Sequence, residues 1–265
     1  MVPNSFCVHE PDILTLNPKD LFQKIRQFGF RHMIIDRLSG KSGIRNLSQL
    51  VLSNKITEEH ARKRILKERT SYWSNKKENP IIESYYGWYA LLPIIRKYDN
   101  RHKIVVITRH PATWIKSNMD WGKFYGKEDY VNRLSSNRLN PEMIGDKANE
   151  TAWEKFDQFE KLCWLWKVMN SALMEGSEKD ENTLVLKFED LFKGPNKATF
   201  LDQLLSHIST FSNKKYPVDL KKELLNEKIH TSIDSGFPTY ENWNTDMKNT
   251  LQKHCGDLML QLGYN

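Results

Sequence analysis

Apolar positions in this chain follow two rhythms. Short dense runs occur at Phe6 to Val8, Ile81-Ile82, Ile104 to Ile107 and Thr183 to Phe188. Runs of this kind, bounded by polar residues, predict buried strands. Between them, apolar residues recur at helical spacing. Leu21, Phe22, Ile25 and Phe28 predict a helix over 18–28, and 44–70 continues as polar, amphipathic helices. Further helices are predicted over 89–98, 112–119, 195–211 and 247–262. A strong one is predicted over 153–174, carrying Trp153, Phe156, Phe159, Leu162, Trp166 and Met169 as core residues. Asn79-Pro80 breaks the pattern. Strands alternating with helices predict an α/β fold, a mainly parallel central sheet flanked by helices. Residues 120–150, rich in Asn, Gly and charge, predict a long loop of little regular structure, where substrate contacts often reside. The length of 265 residues suits a single domain, 1–265.

In open parallel sheets, ligands bind beyond the C-terminal strand ends. His9-Glu10, Glu83-Ser84, Arg109 and Glu189-Asp190 all fall at such ends. The window from Ile104 to Ser117 is the most informative. A strand delivers Arg109 to a helix that opens on Pro111, a residue suited to a first helical turn. Free N–H groups, the positive end of the helix dipole and a guanidinium would then converge on an anion. Ser117, about two turns into the helix, would add a hydroxyl.

Composition narrows the partners. Forty Lys and Arg against thirty-three Asp and Glu leave a formal charge of +7, which favours an anionic ligand. The basic residues are dispersed. The densest cluster, Arg62 to Arg69, follows Glu58 and Glu59 and reads as a solvated helix face rather than a nucleic-acid patch. Three distant cysteines without a CxxC exclude zinc ribbons and thioredoxin chemistry, and no metal site is expected. The same cysteine usage suits a reducing compartment. No apolar run approaches membrane-spanning length, and Met1 to Glu10 lacks the order of a signal peptide, so a soluble, cytoplasmic chain is expected.

Arg109, Pro111 and Ser117, following a hydrophobic strand, resemble the 3′-phosphate-binding element of sulfotransferases that use 3′-phosphoadenosine 5′-phosphosulfate (PAPS). Leu186 to Leu191 with Pro195 is similar to that family's aromatic-Glu-Asp-Leu strand end. Glu241-Asn242-Trp243 through Leu262-Gly263-Tyr264 resembles its closing loop, helix and Leu-Gly-Tyr. His9-Glu10-Pro11 resembles a segment of the carbohydrate and heparan-type members. The resemblance implies a P-loop-like sulfotransferase fold with PAPS as cosubstrate. It implies transfer of a sulfuryl group to a hydroxyl of an acceptor such as a carbohydrate, without a covalent enzyme intermediate or an obligatory metal. It assigns Arg109 and Ser117 to the 3′-phosphate and Trp243 to the loop over the nucleotide, where packing is the other role open to Trp243. Glu10 is the first candidate for general base, with His9 and Glu83 behind it. Glu189-Asp190 would cap a helix or pair with an arginine. Tyr85, Tyr86, Trp88, Trp121, Phe124 and Tyr125 are candidates for stacking on the acceptor.

The chain departs from the family in two places. Residues 236–245 contain no Lys or Arg, which removes a charge contact from the closing loop. The family's Gly-rich 5′-phosphosulfate loop lies upstream of the Glu-Pro segment, and only nine residues precede Glu10 here. The first strand-loop-helix is therefore expected to be missing. Ser39-Gly40-Lys41-Ser42-Gly43 ends like a Walker A loop but lacks its first glycine, and reads as a flexible turn. Two other functions stand beside the leading one: a non-catalytic, nucleotide- or partner-binding protein of the same fold, and a nucleotide-dependent phosphotransferase.

Overall fold

The computed structural model describes residues 4–15, 17–74, 76–77, 80–98, 102–122, 124–129, 138–177, 181–211, 214–215 and 235–264. The chain folds as two compact units. The first comprises Met1–His102, Ser135–Asn137 and Ser209–Asp219; the second comprises Lys103–Leu134, Arg138–Ile208 and Leu220–Asn265.

In the first unit, β1 (Phe6–His9) pairs in parallel with β2 (Ile81–Ser84), in a register running from Phe6↔Ile81 to His9↔Ser84. Helix α1 (Pro18–Phe28) starts where the sequence predicts. The Asn17 side chain accepts the Lys19 N–H, and Pro18 occupies the first turn. A π-helix, Arg31–Asp36, follows and was not legible in the sequence. Helices α2 (Ile44–Leu52) and α3 (Glu58–Ser74) divide the predicted helical stretch. The predicted helix over 89–98 begins later, as α4 (Leu92–Tyr98), because Tyr86–Trp88 forms a 3₁₀ turn first. Ile44, Leu47, Ala61, Ile65, Tyr85, Leu91 and Ile94 form the core between these elements. A short antiparallel pair joins Thr210–Phe211 to Lys214–Lys215.

In the second unit, β3 (Ile104–Thr108) pairs in parallel with β4 (Thr183–Lys187). Helix α5 (Pro111–Trp121) ends at Gly122 in a left-handed conformation. The 120–150 stretch holds more structure than expected. Within it lie α6 (Pro141–Ile144), capped by the Asn140 side chain, and α7 (Lys147–Glu150). Its residues 123 and 130–137 lie outside the described residues. The predicted helix over 153–174 also divides: Trp153–Lys155 forms a 3₁₀ turn, Phe156 is extended, and α8 spans Gln158–Ser177. The cause is Asp157, whose carboxylate accepts the Glu160 N–H at 2.8 Å and starts a new helix. Helices α9 (Phe188–Phe192), α10 (Lys197–Ser209) and α11 (Thr245–Gln261) complete the unit.

The core of this unit lies where α5, α8 and α11 meet, around Ile115, Phe159, Leu162, Trp166, Leu251, Cys255 and Leu258. Each large apolar side chain buried there contributes roughly 1.5–3 kcal/mol. Cys163 and Cys255 are free thiols in it; Cys255 donates to the Cys163 carbonyl at 3.3 Å.

The α/β class holds, with helices predominating. The predicted central sheet is realised as two two-stranded parallel ladders, one in each unit. Among the described residues, no helix is long and apolar enough to cross a membrane.

Candidate functional site

The C-terminal end of β3–β4 carries the residues of the Ile104–Ser117 window. Thr108 and Lys187 are register partners, so Arg109 and Phe188 leave the ladder side by side. The Arg109 guanidinium lies over the Phe188 ring, 4.8 Å from its centroid. Its Nε donates to Thr113 Oγ1 at 3.1 Å, and the buried Trp166 indole N–H donates to the Arg109 carbonyl at 2.9 Å. Neither terminal guanidinium nitrogen is hydrogen-bonded among the described residues. Burial lowers the guanidinium's hold on its proton, and the Glu189 charge opposes that shift. The result is a braced, half-buried cation with two donors to offer. Ser117 lies one turn beyond Thr113 on the same face of α5.

The helix N-terminus is open only in part. Glu189 Oε1 accepts the His110 N–H at 3.1 Å, and the Ala112 N–H donates to His110 Nδ1 at 3.2 Å. Pro111 has no N–H to give. An internal carboxylate and the His110 ring thus take two of these N–H groups, and the Thr113 N–H and the guanidinium remain for a ligand among the described residues. Glu189 is held in turn by Tyr264, whose hydroxyl donates to Oε2 at 3.4 Å and lies 3.0 Å from Thr108 Oγ1. The Leu-Gly-Tyr ending is therefore a clasp. Gly263, at φ +66°, turns the chain so that its carbonyl accepts Lys187 Nζ at 2.7 Å.

Trp243 does not lie over a ligand site. It is 3% exposed, edge-on to Phe159 at 5.0 Å, and its indole N–H is used on the Pro238 carbonyl at 2.9 Å. Its bulk belongs to the core, which corrects its assignment to the nucleotide.

The end of β1–β2 carries the candidate bases. Glu10 follows His9 with φ +46°, a left-handed backbone that non-glycine residues rarely adopt. Its N–H donates to the Ser84 carbonyl at 2.9 Å, extending the ladder, and Lys24 Nζ lies on its carbonyl at 3.2 Å. Burial pushes the Glu10 carboxyl above the ordinary value, against the lowering effects of His9, Lys24 and Arg45. His9 is exposed, with Nδ1 3.3 Å from Ser84 Oγ and Nε2 3.8 Å from Glu10. Glu83 is withdrawn from the set of bases. Arg69 donates to it from Nε at 3.0 Å and from Nη2 at 2.9 Å, and the Trp88 indole N–H adds a bond at 3.1 Å.

The 62–69 face is solvated and paired as expected at Lys63, 2.7 Å from Glu59, and at Arg64, 3.6 Å from Glu68, but Arg69 departs from it. Arg69 is fully buried, and it also reaches Asp12 Oδ2 at 3.3 Å. Asp12, equally buried, accepts the Ile44 N–H at 3.0 Å, and Glu68 accepts the Gly43 N–H at 3.2 Å. Two carboxylates thus cap α2. Burial alone would raise the Asp12 carboxyl, but Arg69, Arg37 and the Ile44 N–H hold it below the ordinary value. The Ser39–Gly43 turn is fastened rather than flexible. Ser42 Oγ donates to the His32 carbonyl at 2.8 Å, and Arg37 passes so close to Gly43 that any side chain there would collide with it. Sequence reasoning missed Asp12, Arg69 and this turn. The one available signal was Asp12 following a strand-end Glu-Pro.

The acceptor candidates also disperse. Tyr85 is buried in the first unit's core; Phe124 lies under the Arg138 guanidinium at 4.3 Å; Trp121 is exposed. No protein-family model, curated protein or solved structure matches this chain.

Proposed function

We propose that the chain is a PAPS-dependent sulfotransferase acting on a hydroxyl-bearing acceptor, with the P-loop-like fold that its motifs imply. The observation that carries this reading is Arg109. It is half-buried at a parallel strand end, braced by Thr113, Phe188 and Trp166, and keeps both terminal nitrogens for a ligand. A braced fork of N–H donors suits a phosphate, which accepts two of them at once. Ser117, on the Thr113 face of α5, supplies a hydroxyl to the same 3′-phosphate.

In the reaction, the acceptor oxygen forms a bond to sulfur while the bond from sulfur to the bridging phosphate oxygen breaks. The product is adenosine 3′,5′-bisphosphate, and the acceptor proton passes to a base. Glu10, at the end of β1–β2, is the residue that the resemblance proposes for that proton, and burial raises its carboxyl.

Calorimetry with adenosine 3′,5′-bisphosphate tests the binding half. Arg109→Ala is expected to weaken affinity by about 2 kcal/mol and Ser117→Ala by about 1 kcal/mol, the sizes of a charged and a neutral hydrogen bond. Affinity that Arg109→Ala leaves unchanged sinks the assignment. Glu10→Gln is expected to lower the transfer rate at least a hundredfold with bisphosphate affinity retained. Bisphosphate binding without sulfuryl transfer in the unmodified chain would instead favour a non-catalytic binding protein.

A further inference from the structure

The N-terminus of α2 gathers more donor atoms than capping uses. Capping and Arg69 occupy Asp12 Oδ2, and the Gly43 N–H occupies Glu68 Oε2. Asp12 Oδ1 is fully buried and has no hydrogen-bond partner among the described residues. His32 Nε2 is buried with none either. Asp12, His32 and Glu68 each place a donor atom within 4.8 Å of the others. Buried polar groups left unpaired cost about 1–3 kcal/mol each, so two of them beside a second carboxylate require an explanation.

A bound cation explains all three. The local arginines do not bond to Asp12 Oδ1 or His32 Nε2: Arg69 is engaged by Glu83 and by the other oxygen of Asp12, Arg64 lies 3.6 Å from Glu68 Oε1, and Arg37 donates to the Ser42 carbonyl. Their engagement has a use: by holding Asp12 Oδ2, Arg69 and the Ile44 N–H fix the carboxylate so that Oδ1 is left for a ligand. Outer contacts of this kind orient metal-binding carboxylates. His32 sits in the π-helix Arg31–Asp36, a conformation that recurs at functional sites.

We propose that Asp12, His32 and Glu68 bind a divalent transition-metal ion of the Zn²⁺ or Mn²⁺ class. One imidazole with two carboxylates suits these ions better than Mg²⁺ or Ca²⁺, which take oxygen ligands. Bonds of about 2.0–2.2 Å require the donors, within 4.8 Å of one another here, to close to roughly 3.4 Å. Three protein ligands leave at least one coordination position for water or a ligand. The site stands within the first unit and does not rest on the sulfotransferase assignment.

The test uses the full chain, stripped with a chelator and titrated with Zn²⁺ and with Mn²⁺ by calorimetry. One ion per chain is expected, with a rise in melting temperature on saturation. His32→Gln is expected to weaken binding at least tenfold and to abolish that rise, while the metal-free variant melts close to the parent. Glu68→Gln provides a second, independent loss should His32→Gln fail to fold. The Co²⁺-substituted protein is expected to show d–d absorption without thiolate charge transfer. Absence of binding, affinity unchanged in both variants, or a thiolate signature from Cys7 would overturn the proposal.

Discussion

The ends of the two parallel ladders handle charge in opposite ways. At the end of β1–β2, Arg69, Glu83 and Asp12 are buried together and bonded mainly to one another. At the end of β3–β4, Arg109 is braced by a hydroxyl, a ring and an indole but paired with no carboxylate among the described residues; Glu189 is drawn instead to the start of α5. The first arrangement is architecture, since desolvated charges stay only when compensated. The second keeps a cation in reserve. Strand-end position alone is therefore a poor guide to function, and the partner of each charge is the better one.

The largest test of this contrast is Arg69→Met. It leaves Asp12 and Glu83 buried without their cation, and a loss of about 3–5 kcal/mol in denaturant unfolding is expected. A loss under about 1 kcal/mol would mean that the network is not load-sharing and that the contrast fails. Glu189→Gln is smaller and sharper. Removing the charged acceptor at His110 is expected to cost about 1–2 kcal/mol of stability. The same change removes the negative charge nearest to Arg109, so bisphosphate affinity is expected to rise. Falling affinity would show that Glu189 organises the guanidinium rather than competing for it.

The smallest effect concerns His254, which faces Glu160 at 2.9 Å and the Phe156 ring, with Lys253 and Lys167 also acting on it. Burial lowers its proton affinity in the folded chain despite Glu160. The unfolded chain therefore takes up the proton first as pH falls. The stability that His254 contributes is complete above the ordinary histidine value of about 6.5 and is lost as pH falls from there through the lowered folded value. Melting measured from pH 7.5 to 5.5 should show His254→Gln declining less than the parent, by under about 1 kcal/mol. Equal slopes would mean that the histidine is as free to protonate folded as unfolded.

Periodicity by itself determined the α/β class, the parallel strands at 6–9, 81–84, 104–108 and 183–187, and most helix positions. Strand runs and amphipathic stripes are local signals, and they survived folding. Local signals also placed Arg109 at a strand end and Ser117 on the helix that follows. What failed was whatever depended on partners distant in sequence. Glu83 looked like a free strand-end base until Arg69, fourteen residues earlier, closed on it. Trp243 looked like a nucleotide-facing loop residue until Phe159 met its edge. The Ser39–Gly43 turn looked mobile until the backbone of His32 and the side chains of Arg37 and Glu68 held it. The triad of Asp12, His32 and Glu68 has no sequence signature, because its spacings of 20 and 36 residues match no ligand motif. Only the packing of α2 and α3 around the first strand's end brings those atoms together. Burial then decides their chemistry, since it fixes which charges are compensated and which are left for a ligand.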